Sequence, residues 1–374
     1  MKWLRLILTL VSATLSVTGC AIRPELHLRK PVETQVQLET QVNVEVMWQV
    51  DWQAKWEFNW DVSSMGSLGY TLPAGMRLHL YPLDSEGVPT THSEHNFAGS
   101  LTRLDVLTGT YNFLFHNNDS EALQFTYEGE FDDVICTTRI ISPGLKTSEA
   151  VYSSQQKAAG YTKAPSMEDD PVSLAPEWLY SLFDEALFVS DNLEDLTYED
   201  GKYILKLEGE LLPSTFIYLF QVKLLHNDGR VTGSNGGAAI TGMASGVNLM
   251  TRQTLESTVT VPMEMYKDPQ QDMLGAKVYT FGIPGCNPYV DSSVKSADDG
   301  EHFLVINVSY ANNTYRNIRV NITDQVRALP TGGVITLELD VDDFPPEEGG
   351  EESGGFKALV EEWDEETGET TIKY

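Results

Sequence analysis

The stretch that decides the fold is VEVMWQVDWQAKWEFNWDV, residues 44–62, which holds four of the chain's seven tryptophans at intervals of four residues. This spacing alone is compatible with a helix. From residue 42 to residue 62, however, every even position is apolar, and every odd position except Met47 is polar. A strand separates two such sets onto opposite faces, whereas a helix mixes them around its surface. We therefore predict β structure over 42–62, with a bend because the stretch exceeds an ordinary strand in length.

The tryptophans of this stretch share one face with Phe58 and five valines. A face with that much apolar area requires a second layer to cover it, which predicts that the tryptophans pack in a core. The alternative is an exposed aromatic platform that binds sugars. Burial of the rings would favour the first interpretation, and exposure would favour the second.

The rest of the chain also predicts strands separated by turns. Alternating or continuous apolar runs recur, and Gly, Asn, Asp and Pro clusters such as DSEGVP (84–89) and HNDGR (226–230) separate them. Strands are predicted in 75–83, 104–119, 122–131, 134–140, 202–208, 216–225, 303–310, 315–323 and 333–341. The segment 173–188 is the exception and predicts a short helix capped by Ser173. These patterns indicate an all-β chain of two β-sandwich domains in tandem.

The N-terminus has the features of an export signal. Lys2 and Arg5 precede a short apolar run, and Val-Thr-Gly leads to Cys20. The ending resembles a bacterial lipobox, which implies cleavage before Cys20 and acylation of its thiol and amine. The alternative is an ordinary signal peptide with an incidental cysteine. Because Ala21 is not aspartate, the resemblance implies sorting to the outer membrane and a lipid anchor at the cell surface.

The composition of the chain excludes some partners. The 374 residues carry 25 Lys and Arg against 55 Asp and Glu, a net charge of −30. Such an acidic protein is a poor ligand for nucleic acid and suits a solvated extracellular location. The two cysteines after Cys20, Cys136 and Cys286, lack metal-site spacing. They predict buried thiols, with a disulfide as the alternative.

Changes in composition divide the chain. Residues 146–172 are small and polar, and the chain beyond 340 is acidic and rich in Gly and Pro. We predict a signal peptide at 1–19, a tether at 20–41, an N-terminal β-sandwich domain at 42–147, a linker or long loop at 148–172, a C-terminal β-sandwich domain at 173–345 and an acidic tail at 346–374.

The tail ends in apolar residues that a solvated linker does not need. Phe356, Ala358 and Val360 alternate as an added β-strand would. Three arrangements stay open: the segment packs on its own domain, it docks on a neighbouring subunit as a donor strand, or it is unstructured.

No catalytic constellation emerges, so we predict neither an enzyme nor a cofactor. His92 and His95 predict exposed loop histidines, and no metal site is assigned. In GMASG (242–246), Ser245 lies one position away from the serine of a nucleophile elbow, so the motif does not match. The glycine-rich segment 233–242 predicts a loop, with a binding loop as the alternative, and the acidic run 340–343 predicts solvated carboxylates rather than a calcium site.

Several strings together resemble the DUF5119 family of Bacteroidetes lipoproteins, over nearly the whole mature chain. These strings are RPELHLRK, VEVMWQVDW, LGYTLPAGMRLHLYPLD, GTYNFLFHNNDSEAL, GEFDDVICTTRIIS, SNGGAAITGMA, FGIPGCNPY and DQVRALPTGGVITLELDVDDFPP. That family is similar to the fimbrillins, type V pilins and adhesins. The resemblance implies two transthyretin-like Greek-key sandwiches and assembly by exchange of β-strands between subunits.

The resemblance implies no catalytic residues. The resemblance also implies a pilin protease site at an arginine between the first strands, for which Arg103 and Arg139 are candidates only by residue type. The first functional hypothesis is therefore a surface-anchored structural or adhesive lipoprotein, an anchor or accessory subunit whose partners are fimbrial subunits and a host protein or glycan. The second is a glycan-binding lipoprotein of a polysaccharide-uptake system.

Overall fold

The computed structural model describes residues 34–41, 51–99, 101–127, 134–142, 151–152, 170–190, 192–290, 300–346, 359–360 and 372–373. Within these ranges the chain consists of β-strands with few short helices, so the all-β prediction is confirmed. No helix among the described residues is long and apolar enough to cross a membrane.

Two sheets face each other in the first half of the molecule. The β1 sheet has the strand order β12–β13–β1–β4, and the five-stranded sheet has the order β14–β11–β5–β2–β3. The strands of the β1 sheet are β1 (Thr34–Gln41), β4 (Leu101–Val106), β12 (Thr197–Glu199) and β13 (Lys202–Glu210). Those of the five-stranded sheet are β2 (Gly75–Pro82), β3 (Ser93–Ala98), β5 (Gly109–Asn117), β11 (Tyr180–Val189) and β14 (Leu212–Pro213).

A second pair of sheets follows. The seven-stranded sheet has the order β8–β10–β18–β16–β21–β22–β9, and the β15 sheet has the order β19–β20–β15–β23. Strands of the former are β8 (Ile140–Ser142), β9 (Val151–Tyr152), β10 (Val172–Ser173), β16 (Val231–Ala244), β18 (Thr258–Met263), β21 (Phe303–Tyr310) and β22 (Tyr315–Asn321). Strands of the latter are β15 (Phe216–Leu225), β19 (Met265–Lys267), β20 (Met273–Thr280) and β23 (Gly333–Asp340).

The remaining elements are small. A three-stranded sheet, in the order β17–β7–β6, comprises β6 (Leu123–Tyr127), β7 (Val134–Thr138) and β17 (Gly246–Asn248), and β24 (Leu359–Val360) pairs with β25 (Ile372–Lys373). The helices are α1 (Val62–Met65) and α2 (Thr323–Ala328), with 3₁₀ turns at Leu193–Asp195 and Val341–Asp343 and a helical stretch at 51–55.

Alternation of side chains explains why these sheets stack. In β15, Tyr218, Phe220 and Val222 point into the core shared with the seven-stranded sheet, and the intervening Ile217 and Leu219 belong to a separate cluster on the other face. In β2, Leu78 and Leu80 likewise face the core shared with the β1 sheet. Both faces of the β15 sheet are therefore covered.

The strand predicted over 42–62 is wrong for its described part. Residues 51–55 are helical, 56–61 are irregular, and α1 begins at Val62; residues 42–50 lie outside the described part. The Trp56 backbone N–H donates to the Trp52 carbonyl at 2.8 Å, which closes a helical turn. The spacing of four residues places Trp52 and Trp56 on one side of that turn.

Two other local predictions are corrected. The segment 173–188 contains no helix: residues 174–179 are irregular, and β11 begins at Tyr180, because Ser181–Val189 pairs with β5. The glycine-rich segment 233–242 lies within β16 rather than in a loop, and its pairing with β21 and β18 shifts register. At Gly237, with φ +91°, a Cβ would lie 2.2 Å from the Met263 carbonyl oxygen, so glycine permits this close approach.

Strand pairing crosses the predicted domain division. The predicted tether 20–41 contains β1, which is paired on both sides over Thr34–Gln41, so that part is a strand. Strands β11 and β13 fall within the predicted C-terminal domain but pair with β5 and β1. Residues 173–210 therefore share sheets with the N-terminal half, and the division into domains stays a prediction.

Candidate functional site

Strand β1 lies between two strands that come from distant parts of the chain. Strand β1 runs parallel to β13 on one side and antiparallel to β4 on the other. Val36 pairs with Leu205 and Leu104 and is buried in the core beneath the sheet. The alternation of Val36 with Gln35 and Gln37 suits a strand with one covered face.

Polar side chains line the outer face of the sheet at β1 and its two neighbouring strands. The Arg103 Nε donates to the Gln37 Oε1 at 2.8 Å, and the Gln35 Nε2 donates to the Asp105 Oδ1 at 3.3 Å. Lys202, from β13, pairs with the same Asp105 carboxylate at 2.9 Å. The Lys202–Asp105 ion pair thus links the two neighbours of β1 across its outer face.

The two arginines considered as maturation sites lie apart. Arg103 is within β4 beside β1, whereas Arg139 lies between β7 and β8, where its carbonyl accepts from the Leu174 N–H at 3.0 Å. Cys20, Phe356 and Ala358 lie outside the described residues. Of the predicted donor strand, only Val360 is described, in β24 opposite Ile372. The donor strand and the lipid site stay predictions.

The aromatic stretch covers the outer face of the β15 sheet. Trp52 packs with Ile217, Leu219 and Val334, and Phe58 lies so close to Gly275 that a Cβ there would be 2.6 Å from the ring. Trp52 is 8% exposed and Phe58 is 3% exposed. Burial of these rings favours core packing over the sugar platform.

Side chains of the β15 sheet hold the backbone of this stretch. The Gln221 Oε1 accepts from the Glu57 N–H at 2.7 Å, and its Nε2 donates to the Lys55 carbonyl at 2.8 Å. The Asp268 Oδ2 accepts from the Asn59 N–H at 3.2 Å. These bonds satisfy backbone groups that a ladder would satisfy in a strand.

A cluster of histidines lies on the face of the five-stranded sheet that packs against β6. His79 is fully buried between Tyr127, with ring centroids 5.0 Å apart, and His116, with centroids 5.2 Å apart. His92 stacks over His79 from the solvent side, and its Nε2 is 3.2 Å from the Glu94 Oε1. His92 is exposed, as predicted, but it is part of a group that the sequence did not assign.

Burial governs the protonation of the two inner histidines. Desolvation, with smaller effects of His116 and His92, lowers the pKa of His79 to about 3. Desolvation also lowers the pKa of His116 to about 4, although the hydrogen bond to Asn117 opposes that shift. Both imidazoles are therefore neutral at pH 7.

A hint of this cluster exists in the sequence. His79 occupies the odd-numbered face of β2, opposite to Leu78 and Leu80, and His92-Ser93-Glu94 places two ligand types on one side of an extended chain. The sequence does not reveal that β2 and β3 pair His79 with Glu94. His95, which the sequence grouped with His92, pairs with Leu78 instead and bonds to Ser93.

The acidic run 340–343 belongs to a partly exposed charged group with His226 and Arg230. The Asp340 Oδ2 lies 2.9 Å from the His226 Nδ1, and the Arg230 Nη2 pairs with the Asp342 Oδ1 at 2.6 Å. Cys136 and Cys286 are buried thiols that do not form a disulfide, which confirms that prediction. Burial raises the pKa of the Cys136 thiol far above its usual range.

Comparison with known proteins identifies a family. The family described as "Domain of unknown function (DUF5119)" matches residues 51–264, which is more than half of the chain. No curated protein matches the chain.

Solved structures are similar only at low identity. A "putative adhesin" from Bacteroides ovatus ATCC 8483 is 15% identical, with a TM-score of 0.48 over 88% of this chain and 99% of the other. The fimbrial anchor protein Mfa2 from Porphyromonas gingivalis is 12% identical, with a TM-score of 0.42 over 82% and 90%. "Putative polysaccharide binding proteins (DUF1812)" from Bacteroides thetaiotaomicron VPI-5482 are 11% identical, with a TM-score of 0.41 over 82% and 91%.

Proposed function

The chain belongs to the DUF5119 family, and on that premise we propose that it is a surface-anchored, fimbrillin-like structural or adhesive lipoprotein. It serves as an anchor or accessory subunit, held in the outer membrane by lipid on Cys20, and it binds other fimbrial subunits by β-strand complementation. The proposal includes no catalytic step and no cofactor.

The observation that carries the proposal is the position of β1. This strand is the first described element after Cys20, and it is hydrogen-bonded along both edges, to β13 and β4. A load applied to a lipid at Cys20 therefore reaches two distant segments of the fold at once. A strand supplied by a chain end is also the element that strand exchange uses, because main-chain hydrogen bonds provide the affinity.

The composition supports the same role. A net charge of −30 keeps a protein solvated outside the cell, and the burial of Trp52 and Phe58 leaves these two rings inaccessible to a sugar. The tail from Phe356 to Val360 is the proposed donor segment for a partner or for the home domain.

The test is a comparison of membrane attachment in the native host. The parent chain should remain in the carbonate-washed membrane pellet together with SDS-resistant complexes of other fimbrial subunits. Cys20→Ala should release both the chain and those subunits, since stable anchoring requires more than one acyl chain and all of them are lost. Cys136→Ala is the matched control and should stay in the pellet, because this buried thiol carries no lipid.

Two results would contradict the proposal. If the Cys20→Ala chain stays in the membrane pellet after the carbonate wash, a lipid on Cys20 is not the anchor. If the parent chain is purified from the membrane without any second subunit, it is not a subunit of a fimbria.

A further inference from the structure

His79 carries a buried ring nitrogen without a hydrogen-bond partner. Its side chain is fully buried, and the Nδ1 atom bonds to no other group among the described residues. Buried side-chain polar atoms are nearly always satisfied, so an orphaned one calls for an explanation.

The hydrogen bonds behind His79 fix which nitrogen carries the proton. The His116 Nδ1 lies 2.8 Å from the backbone carbonyl oxygen of Asn117, which can only accept a hydrogen bond. The Nδ1 of the neutral His116 therefore carries the proton, and its Nε2 carries a lone pair. The His79 Nε2 lies 3.1 Å from that lone pair and must donate to it. The neutral His79 therefore presents a lone pair at Nδ1.

That lone pair faces other electron-rich atoms. The His79 Nδ1 is 3.8 Å from the Glu94 Oε1, and the ligand atoms of His79, His92 and Glu94 all lie within 4.8 Å of one another. Two lone-pair acceptors that face each other in a partly buried place repel unless a proton or a cation lies between them. Here the tautomer of His79 supplies no proton.

The sheet itself brings these groups together. His79 and Glu94 are direct cross-strand partners in β2 and β3, and His92 is two residues from Glu94 on the same side. The nearby Arg77 contacts the other carboxylate oxygen, Oε2, at 3.6 Å, and the Asn96 Oδ1 accepts from its Nε. The Oε1 atom is thus left to face the two imidazoles.

We propose that His79, His92 and Glu94 form a site for a divalent transition-metal ion, with Zn²⁺ as the reference ion. Two imidazoles and one carboxylate are the ligand set of three-ligand zinc sites, and the Asn117–His116–His79 relay supplies the outer hydrogen bonding that orients a metal-binding histidine. His92 and Glu94 are 39% and 36% exposed, so the fourth position opens to solvent. The site is independent of the proposed anchoring function.

Coordination of one ion would draw the three ligand atoms closer together. Bonds of about 2.0–2.1 Å in a tetrahedron place ligand atoms roughly 3.3 Å apart. The His92–Glu94 pair already lies at 3.2 Å, the His79–Glu94 pair lies at 3.8 Å, and the ligand atoms of His79 and His92 lie within 4.8 Å of each other. The exposed side chains of His92 and Glu94 can rotate to close the remaining gap.

The test is titration of the chelator-treated full chain with ZnCl₂, measured by competition with a zinc-binding dye. The parent chain should bind one ion per chain at this site. His92→Gln and Glu94→Gln should each weaken binding by more than the roughly 10–100-fold that loss of an outer partner costs. Both positions are exposed, so these variants should fold; His95→Gln is the matched control and should bind as the parent does.

The relay has its own test in a conservative pair. His116→Gln keeps an acceptor for the His79 Nε2–H, whereas His116→Leu removes it, so the leucine variant should bind Zn²⁺ roughly 10–100-fold more weakly than the glutamine variant. Equal binding by these two would overturn the relay. Unchanged stoichiometry and affinity in His92→Gln and Glu94→Gln, or no binding by the parent chain, would overturn the site.

Discussion

Residues 75–82 and residues 51–60 show the same alternation of apolar and polar side chains, yet they fold differently. The first becomes β2, hydrogen-bonded to β3 and β5. The second becomes a helical turn followed by an irregular segment. In both, an apolar side chain of the alternating set is buried, Leu78 in the first and Trp52 in the second. Gln53, next to Trp52, is exposed, whereas His79, next to Leu78, is buried on the opposite face of β2.

The difference lies in where the backbone hydrogen bonds go. Strand β2 has a strand on each side, so a ladder satisfies its N–H and C=O groups. The aromatic stretch lies across the face of the β15 sheet, where side chains such as Gln221 and Asp268 serve as partners. Alternation therefore predicts that Trp52, Phe58 and Leu78 are buried but fails at Val62, and the position of the neighbouring strands determines the backbone conformation.

The largest expected effect tests whether the aromatic stretch packs as firmly as a strand. Trp52→Ala should lower the free energy of unfolding by about 3–5 kcal/mol, the cost of emptying a large aromatic site in a core. Denaturant unfolding measures it. Gln53→Ala and Val62→Ala should each change the free energy by less than about 0.5 kcal/mol, because both side chains are exposed.

The Val62 control separates the two conformations. A continuous strand would place Val62 on the same buried face as Trp52, whereas in the structure it is 60% exposed at the start of α1. A large loss of stability in Val62→Ala would support a continuous strand over this stretch. A small loss in Trp52→Ala would mean that the aromatic face is not packed in a core.

A smaller effect tests the side chain that replaces the ladder. Gln221→Met should lower the free energy of unfolding by about 1–3 kcal/mol, because the buried bonds to Glu57 N–H, Lys55 carbonyl and Thr336 Oγ1 are lost. Amide hydrogen exchange should show faster exchange at Glu57, with β2 unchanged. The matched control is Gln124→Met in β6, where the side chain is exposed. Slow exchange at Glu57 in Gln221→Met would show that another group holds this segment.

The smallest effect concerns the end of the aromatic stretch. Hydrogen bonds from the side chain of Ser63, then from that of Ser64, lower the pKa of the Asp61 carboxyl below its ordinary value of 3.8. Because the folded-state pKa is depressed, the stabilisation is present above pH 3.8 and is lost as the pH falls through the lowered pKa. A carboxyl-resolved NMR titration of the parent chain measures this pKa.

Ser63→Ala provides the comparison for that titration. The pKa of Asp61 should rise towards its ordinary value, since the Ser63 hydroxyl no longer donates to the carboxylate, while the Ser63 backbone N–H still does. An Asp61 pKa at or above the ordinary value in the parent chain would contradict the cap at the N-terminus of α1.

Much of the fold could be predicted because most strands carry their own signal. The apolar run FIYLFQVKLL became β15, and FLVINVSY with YRNIRVNIT became the hairpin β21–β22. The segment 173–188 was predicted to be a helix because its apolar residues also fit one face of a helix. Pairing of Ser181–Val189 with β5 makes that part a strand instead. The segment 233–242 was predicted as a loop because it is rich in glycine, but glycines inside a strand also mark bulges, and here the pairing with β21 shifts register.

The candidate sites were less accessible to sequence reasoning. Cys20 is visible as a local motif, but nothing in Thr34–Gln41 indicates that this strand is inserted between residues from the 100s and the 200s. The histidine cluster combines residues 13 to 37 positions apart, and only the register of β2, β3 and β5 brings them into contact. Pairing across such distances leaves no periodic trace in either segment.

The sequence by itself determined the all-β class, the acidic composition and the burial of much of the apolar alternating set, because alternation and composition are local properties that each segment carries. The tertiary structure decided the conformation of 51–60, the double pairing of β1, the sharing of β11 and β13 with the N-terminal half, and the meeting of His79, His92 and Glu94. The physical reason is that backbone hydrogen bonds in a sheet join segments that are distant in sequence, so that register and neighbours are fixed only when the whole chain is folded.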